Sequence, residues 1–148
     1  MNYAIVFRLL GYILMIEGVL LLLPAATSLI YAEWAVMGVF LLTAAISAAL
    51  GLGLRTIKPR SKVFYMREGF AATALSWIAI SIVGAVPFVL TGCIPNPVDA
   101  LFETVSGFTT TGASILPAVE GLPNGILFWR SFTHWIGGMG VLVFLLSL

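Results

Sequence analysis

The stretch SGFTTTGAS, Ser106 to Ser114, places hydroxyls and two glycines without any charge inside a 148-residue chain that is 61% hydrophobic. Just upstream, Asn96-Pro97-Val98-Asp99 reads as a helix start: a capping side chain, a proline in the first turn and an acid near the positive end of the dipole. The helix continues through Ala100, Leu101, Phe102, Glu103, Thr104 and Val105 until Gly107 and the threonines end it. That is about 12 residues, roughly 18 Å at the α-helical rise, or about half a membrane. A half-length helix followed by irregular polar backbone, with full spans on both sides, is the pattern of a re-entrant loop. Such backbone is tolerated at membrane depth only where protein buries it or water reaches it. The plainer alternative for a Thr and Gly run is an ordinary outer loop.

The flanks supply the full spans. With a mean hydropathy of +1.12 and 9% charged residues, the chain reads as an integral membrane protein. Runs long enough to cross the hydrocarbon occupy about residues 5–30, 34–54, 69–90 and 125–148. The first is too long for a signal peptide and carries Glu17 in its middle. A carboxylate there faces another helix or a hydrated crevice, or snorkels toward a structural partner. Five of the seven Lys and Arg, Arg55, Lys58, Arg60, Lys62 and Arg67, crowd one connector, whereas residues 91–124 hold none. The positive-inside bias therefore puts that connector and the N-terminus in the cytoplasm and residues 91–124 outside. Nothing in the charge pattern suggests nucleic acid, and the lone Cys93 excludes an intrachain disulfide or a cysteine metal cluster. The expected fold is an all-α membrane protein of transmembrane helices plus one re-entrant pore loop.

The loop's chemistry narrows its ligand. Thr109, Thr110, Thr111, Gly112 and Ala113 offer hydroxyls and backbone carbonyls but no anionic group, and a divalent ion would ask for carboxylates. A weakly held, permeant monovalent cation needs neutral dipoles that replace its hydration shell without trapping it. Gly112 can adopt angles that turn successive carbonyls toward one axis. The C-terminal end of the short helix points its negative dipole at the same place.

Five motifs now occur in order: REGF at Arg67 to Phe70, GAVPF at Gly84 to Phe88, DALFETVSGFTTTGAS at Asp99 to Ser114, LPNGILFWRS at Leu122 to Ser131, and WIGGMGVLV at Trp135 to Val143. By these the chain resembles, essentially end to end, the N-terminal part of the TrkH family of the Trk/Ktr/HKT potassium transporter superfamily. The resemblance implies four linked copies of a helix, pore-loop, helix unit, preceded by an extra helix pair. Residues 1–60 would be that pair and 61–148 the first repeat, with Pro97 to Phe108 the pore helix, Thr109 to Ser114 the filter strand and Gly125 onward the inner helix. Thr110, Thr111, Gly112 and Ala113 would give carbonyls to potassium, the transported ligand, with the Thr110 hydroxyl at the inner end. A potassium channel has a second glycine and a tyrosine where this loop has Ala113 and Ser114, which implies a less constrained filter and leaves potassium against sodium open. The resemblance also implies a multi-pass place in the bacterial inner membrane and a cytoplasmic nucleotide-binding ring as regulatory partner. No cofactor is expected in the chain itself. One loop is a quarter of a ring and needs three more; the apolar end at Leu148 suggests the front of a longer polypeptide, with a homo-oligomer as the alternative.

The remaining polar residues carry two readings each. Arg130 and His134 are four apart and share a face near the outer end of the last span. Arg130 either pairs with Glu103 and braces the loop, or snorkels to the outer headgroups. His134 reads as a hydrogen-bonding core residue, more weakly as a pH sensor. Asp99 and Glu103 share a helix face and could enrich cations at the mouth, although Asp99 also fits as a first-turn residue. Gly137, Gly138 and Gly140 permit close helix contact or a bend. Pro87 is expected to kink or end its helix, and Trp34 and Trp129 to anchor at the interfaces. Among function classes a filter-type cation transporter leads. A secondary transporter with a broken-helix site lacks a second copy, a non-transporting scaffold gives TTTGAS no purpose, and a hydrolase built on Ser106 and His134 lacks a nucleophile elbow. The chain does not read as an enzyme.

Overall fold

The computed structural model describes residues 3–57 and 66–146, with side chains through residue 140. Lys58, Arg60 and Lys62, the middle of the basic connector, lie outside the described residues, as does the expected boundary near residue 60. Six helices follow one another: α1 (Tyr3–Leu20), α2 (Leu22–Ile30), α3 (Trp34–Arg55), α4 (Met66–Leu90), α5 (Pro97–Phe108) and α6 (Asn124–Leu146). No strand occurs among the described residues. Tyr3–Ile30, Trp34–Arg55 and Met66–Leu90 are each long and apolar enough to cross a membrane, and the 23 residues of α6 span roughly 34 Å.

The first apolar run is two helices where the sequence suggested one. Pro24 has no N–H to give the Leu20 carbonyl, so the ladder breaks at Leu21 and resumes after it. Small residues then bring α1 and α3 together: a Cβ on Gly11 would lie 2.7 Å from the Gly51 carbonyl oxygen, and one on Gly51 2.7 Å from that of Gly11. Ser47 Oγ donates to the Leu14 carbonyl at 2.7 Å across the same seam, a close backbone approach of the kind that holds helices in lipid. Glu17 faces inward here, 4% exposed, with neither carboxylate oxygen hydrogen-bonded among the described residues.

Pro87 stands in the last turn of α4, which ends three residues further on at Leu90, and it is buried. Around it sits the core. Trp129, expected at an interface, is instead fully buried. Its ring meets Phe40 of α3 and Phe108 of α5 edge-on, both at 6.3 Å between centroids. Its Nε1 donates to the Gly84 carbonyl of α4 at 2.9 Å, which satisfies the one polar atom that made an interfacial place attractive. Gly84 leaves room for this, since a Cβ there would lie 2.9 Å from Thr104 Cγ2 and 3.2 Å from the Trp129 ring. Trp129 thus ties α3, α4, α5 and α6 together, while Trp34, at the start of α3, is 63% exposed.

Candidate functional site

The half-length helix forms as its sequence dictates. Asn96 caps it, Oδ1 accepting from the Val98 N–H at 3.0 Å, and 12 residues later it closes at Phe108. One face of α5 is buried on the other helices, through Ala100, Glu103, Thr104, Ser106, Gly107 and Phe108. The chain then leaves the helix by a tight winding: Thr109 N–H donates to the Val105 carbonyl at 2.9 Å, Thr110 N–H to Gly107 at 2.9 Å, and Thr111 N–H to Ser106 at 3.0 Å. Thr110 (φ 57°) and Gly112 (φ 77°) both sit in the left-handed region. That is ordinary for glycine and strained for a β-branched threonine.

The hydroxyls and carbonyls of the loop divide into two groups. Thr109 Oγ1 donates to the Val105 carbonyl and lies 2.8 Å from Thr111 Oγ1; Thr110 Oγ1 donates to the Thr109 carbonyl at 2.7 Å. Ser106 Oγ donates to the Ala113 carbonyl at 2.6 Å. The carbonyls of Thr110, Thr111 and Gly112 accept no hydrogen bond among the described residues, and residues 109–115 are exposed along their length.

Behind the loop stands the only ion pair formed among the described residues, Arg130 Nε to Glu103 Oε1 at 2.6 Å. The Glu103 side chain is 1% exposed and that of Arg130 23%. The same carboxylate accepts the Ile115 N–H at 3.0 Å and sits 3.0 and 3.1 Å from Ser114 Oγ, while Ser114 Oγ in turn accepts the Leu116 N–H at 3.1 Å. Glu103 therefore does not stand at a mouth with Asp99. Its part of the α5 face turns onto α6 and the descending chain, and Asp99 remains a half-buried first-turn residue. One turn along α6 from Arg130, His134 Nδ1 lies 2.9 Å from the Arg130 carbonyl oxygen. Thr133 Oγ1 donates to that same oxygen and packs in the space left by the missing side chain of Gly107. The structure thus assembles Glu103, Ser114, Arg130 and His134 around one corner of the loop and leaves Asp99 apart.

Glu33 escaped the sequence reading. From the turn between α2 and α3 its carboxylate accepts the Asn124 N–H at 2.7 Å, Asn124 Nδ2 at 3.1 Å and the Gly125 N–H at 3.0 Å. It caps α6 from 91 residues away and favours the positive end of that helix's dipole. Partial burial works to raise its carboxyl, but the donors of Gly125 and Asn124 outweigh this and hold it below the usual value. A carboxyl lowered on folding stabilises the fold above its unfolded value of about 4.3, and that contribution disappears as pH falls through the folded value. Glu33→Gln should lower stability by about 1 kcal/mol at pH 7, measured by thermal unfolding of the purified protein in detergent. The gap between variant and native chain should close as the pH is taken below 4; a pH-independent gap would remove the capping role.

Residues 34–147 match the TrkH family, described as cation transport protein. An uncharacterized cation transporter of Methanocaldococcus jannaschii is 39% identical over 139 residues, covering 93% of this chain and 29% of that relative. The Trk system potassium uptake protein TrkH of Halomonas elongata is 34% identical over 149 residues, covering 97% of this chain and 30% of the relative. Among solved structures, the potassium transporter TrkH from Vibrio parahaemolyticus superposes with a TM-score of 0.91 at 31% sequence identity, over 99% of this chain and 32% of that one. The chain spans about a third of the length of these relatives. A family pattern across most of the residues, relatives that match this chain nearly end to end and the same helical arrangement lead to one conclusion: the chain belongs to the TrkH family of cation transport proteins.

Proposed function

We propose that the chain supplies one of four pore-loop repeats of a transmembrane uptake path for potassium, with Thr109 to Ser114 as its share of a selectivity filter. The observation that carries this reading is the run of three consecutive carbonyls, Thr110, Thr111 and Gly112, that accept no hydrogen bond among the described residues, just past the C-terminal end of a half-length helix. Carbonyls left without a hydrogen bond on an exposed, irregular stretch of backbone are neutral ligands able to replace the hydration shell of a monovalent cation. The helix end adds a partial negative charge without a formal one. Glu103, the acid nearest the loop, is neutralised by Arg130, so no anionic group remains to trap the ion. The Halomonas elongata relative, a potassium uptake protein, and the Vibrio parahaemolyticus relative, a potassium transporter, favour potassium as the cargo.

In this reading Ala113 and Ser114 complete the strand, Glu103 and Arg130 brace it, His134 supports the brace and Asp99 belongs to the helix start. Three further repeats, from the same polypeptide or other copies, close the ring within the bilayer. The N-terminus lies in the cytoplasm, where a nucleotide-binding ring is the regulatory partner that the family resemblance implies.

Gly112→Ala tests the filter. A Cβ there meets nothing within 4 Å, so the substitution acts only by straining a φ of 77°, at about 1–3 kcal/mol. With the gene expressed whole in cells lacking other potassium uptake, rubidium uptake should fall about tenfold or more at an unchanged amount of protein in the membrane. Unchanged uptake and unchanged ion preference would end the filter reading.

A further inference from the structure

We infer that Ser106 is a specificity-determining positioning residue, which holds the Ala113 carbonyl behind the loop and so limits this repeat to three consecutive carbonyl ligands. The inference rests on the filter reading above and refines it, because the family pattern would count Ala113 among the donors.

The geometry is local. Ser106 lies on the buried face of α5, 5% exposed, and its Oγ donates to the Ala113 carbonyl at 2.6 Å. A carbonyl oxygen has two lone pairs, but one held at 2.6 Å by a hydroxyl on the helix behind the loop is turned away from a cation on the opposite side of the chain. The Ser106 main chain works in the same sense, its carbonyl accepting the Thr111 N–H at 3.0 Å, so a single residue fixes the loop at two points, with the Thr111 and Gly112 carbonyls between them and the Thr110 carbonyl just before the first. Beyond Ala113 the chain is tied back through other groups, Ser114 Oγ and the Ile115 N–H both binding Glu103, and the trans peptide turns the Ser114 carbonyl the opposite way. The uninterrupted run of carbonyls without a hydrogen bond among the described residues therefore stops at Gly112, and the bond that stops it comes from one hydroxyl. The number and field of coordinating carbonyls govern how well a filter separates potassium from sodium. Ser106 has no other hydrogen-bonding duty through its side chain among the described residues.

The test compares Ser106→Ala, Ser106→Thr, Ser106→Cys and Gly112→Ala, each in the gene expressed whole in cells lacking other potassium uptake. The readout is the ratio of rubidium to sodium uptake at matched protein in the membrane. Ser106→Ala should free the Ala113 carbonyl and raise the ratio roughly fivefold, while Ser106→Thr, which keeps the hydroxyl, should return it to the native value. An unchanged ratio in Ser106→Ala overturns the inference, and so does a lowered one, which would mark Ser106 as a brace only. If Ser106→Ala does not reach the membrane, Ser106→Cys, of similar shape but a weak donor, decides: a raised ratio supports the role and a native ratio removes it. Gly112→Ala separates the two levels. Should it change uptake or preference while the Ser106 variants do not, only the Ser106 role falls; should it change neither, the filter reading falls and takes this inference with it.

Discussion

Arg130→Gln is expected to cost about 3 kcal/mol of stability, toward the lower end of what breaking a buried pair costs, and to reduce rubidium uptake more than tenfold. The reason is the carboxylate left behind. Glu103 is 1% exposed and retains the Ile115 N–H and the Ser114 hydroxyl, but it would keep a full charge in an apolar surround without a counterion. A glutamine at 130 can still donate a hydrogen bond, so the loss isolates charge from hydrogen bonding. The 23% exposure of Arg130 lets water replace part of the guanidinium, which is why the lower end applies. Arg130→Lys keeps the charge but not the planar Nε donor that meets Glu103 Oε1, and should fall between the two. The double variant Glu103→Gln with Arg130→Gln removes both charges and should recover a good part of the stability lost by Arg130→Gln alone, the signature of direct coupling in a double-mutant cycle. Thermal unfolding in detergent, read beside uptake, checks each step; Arg130→Gln with native stability and native uptake would sink the bracing role.

The parts of this architecture written in short stretches were legible in the sequence. Helix α5 was delimited at both ends because its signals are local: Asn96 and Pro97 at the start, Gly107 and the threonines at the close. The pairing of Glu103 with Arg130 was one of two readings the sequence allowed, because an arginine in so apolar a chain either meets an acid or reaches the headgroups, and the 2.6 Å contact decides for the pair. The break between α1 and α2 was masked, since apolar residues run unbroken across it and hydropathy does not register the single missing N–H of Pro24. Trp129 was misplaced for a related reason. In a membrane protein an indole suits the interface as well as the core, and only the Gly84 carbonyl at 2.9 Å decides between them. Glu33 carried no signal at all, because its partners stand 91 and 92 residues away and a capping acid is recognised by adjacency. The strain at Thr110 and the diversion of the Ala113 carbonyl were likewise invisible, since a Thr and Gly run does not specify which carbonyls turn outward.

The second large effect is expected at Gly137, and its neighbour supplies the contrast. A Cβ on Gly137 would overlap the Phe108 carbonyl oxygen and stand 2.7 Å from the Phe108 carbonyl carbon and 3.0 Å from its Cα. All three are backbone atoms at the last residue of α5, so no rotamer change relieves the clash. Either α6 withdraws, breaking the packing of Phe108 against Trp129, or the end of α5 shifts and carries Thr109 to Gly112 with it. Gly137→Ala should therefore destabilise the chain by about 3 kcal/mol, the upper range for overpacking, and lower rubidium uptake more than tenfold. Gly138 sits one residue on in the same helix, and a Cβ there would come no closer than 3.9 Å to Thr110 Cγ2. Gly138→Ala should leave uptake near native and raise stability by up to about 1 kcal/mol, from the lower conformational entropy of alanine in the unfolded chain. The two variants share composition, helix and membrane depth, so a difference between them reports the contact with Phe108 alone. If they behave alike, α6 does not press on the end of α5 as described, and the route by which that helix fixes the position of Thr109 to Gly112 is lost.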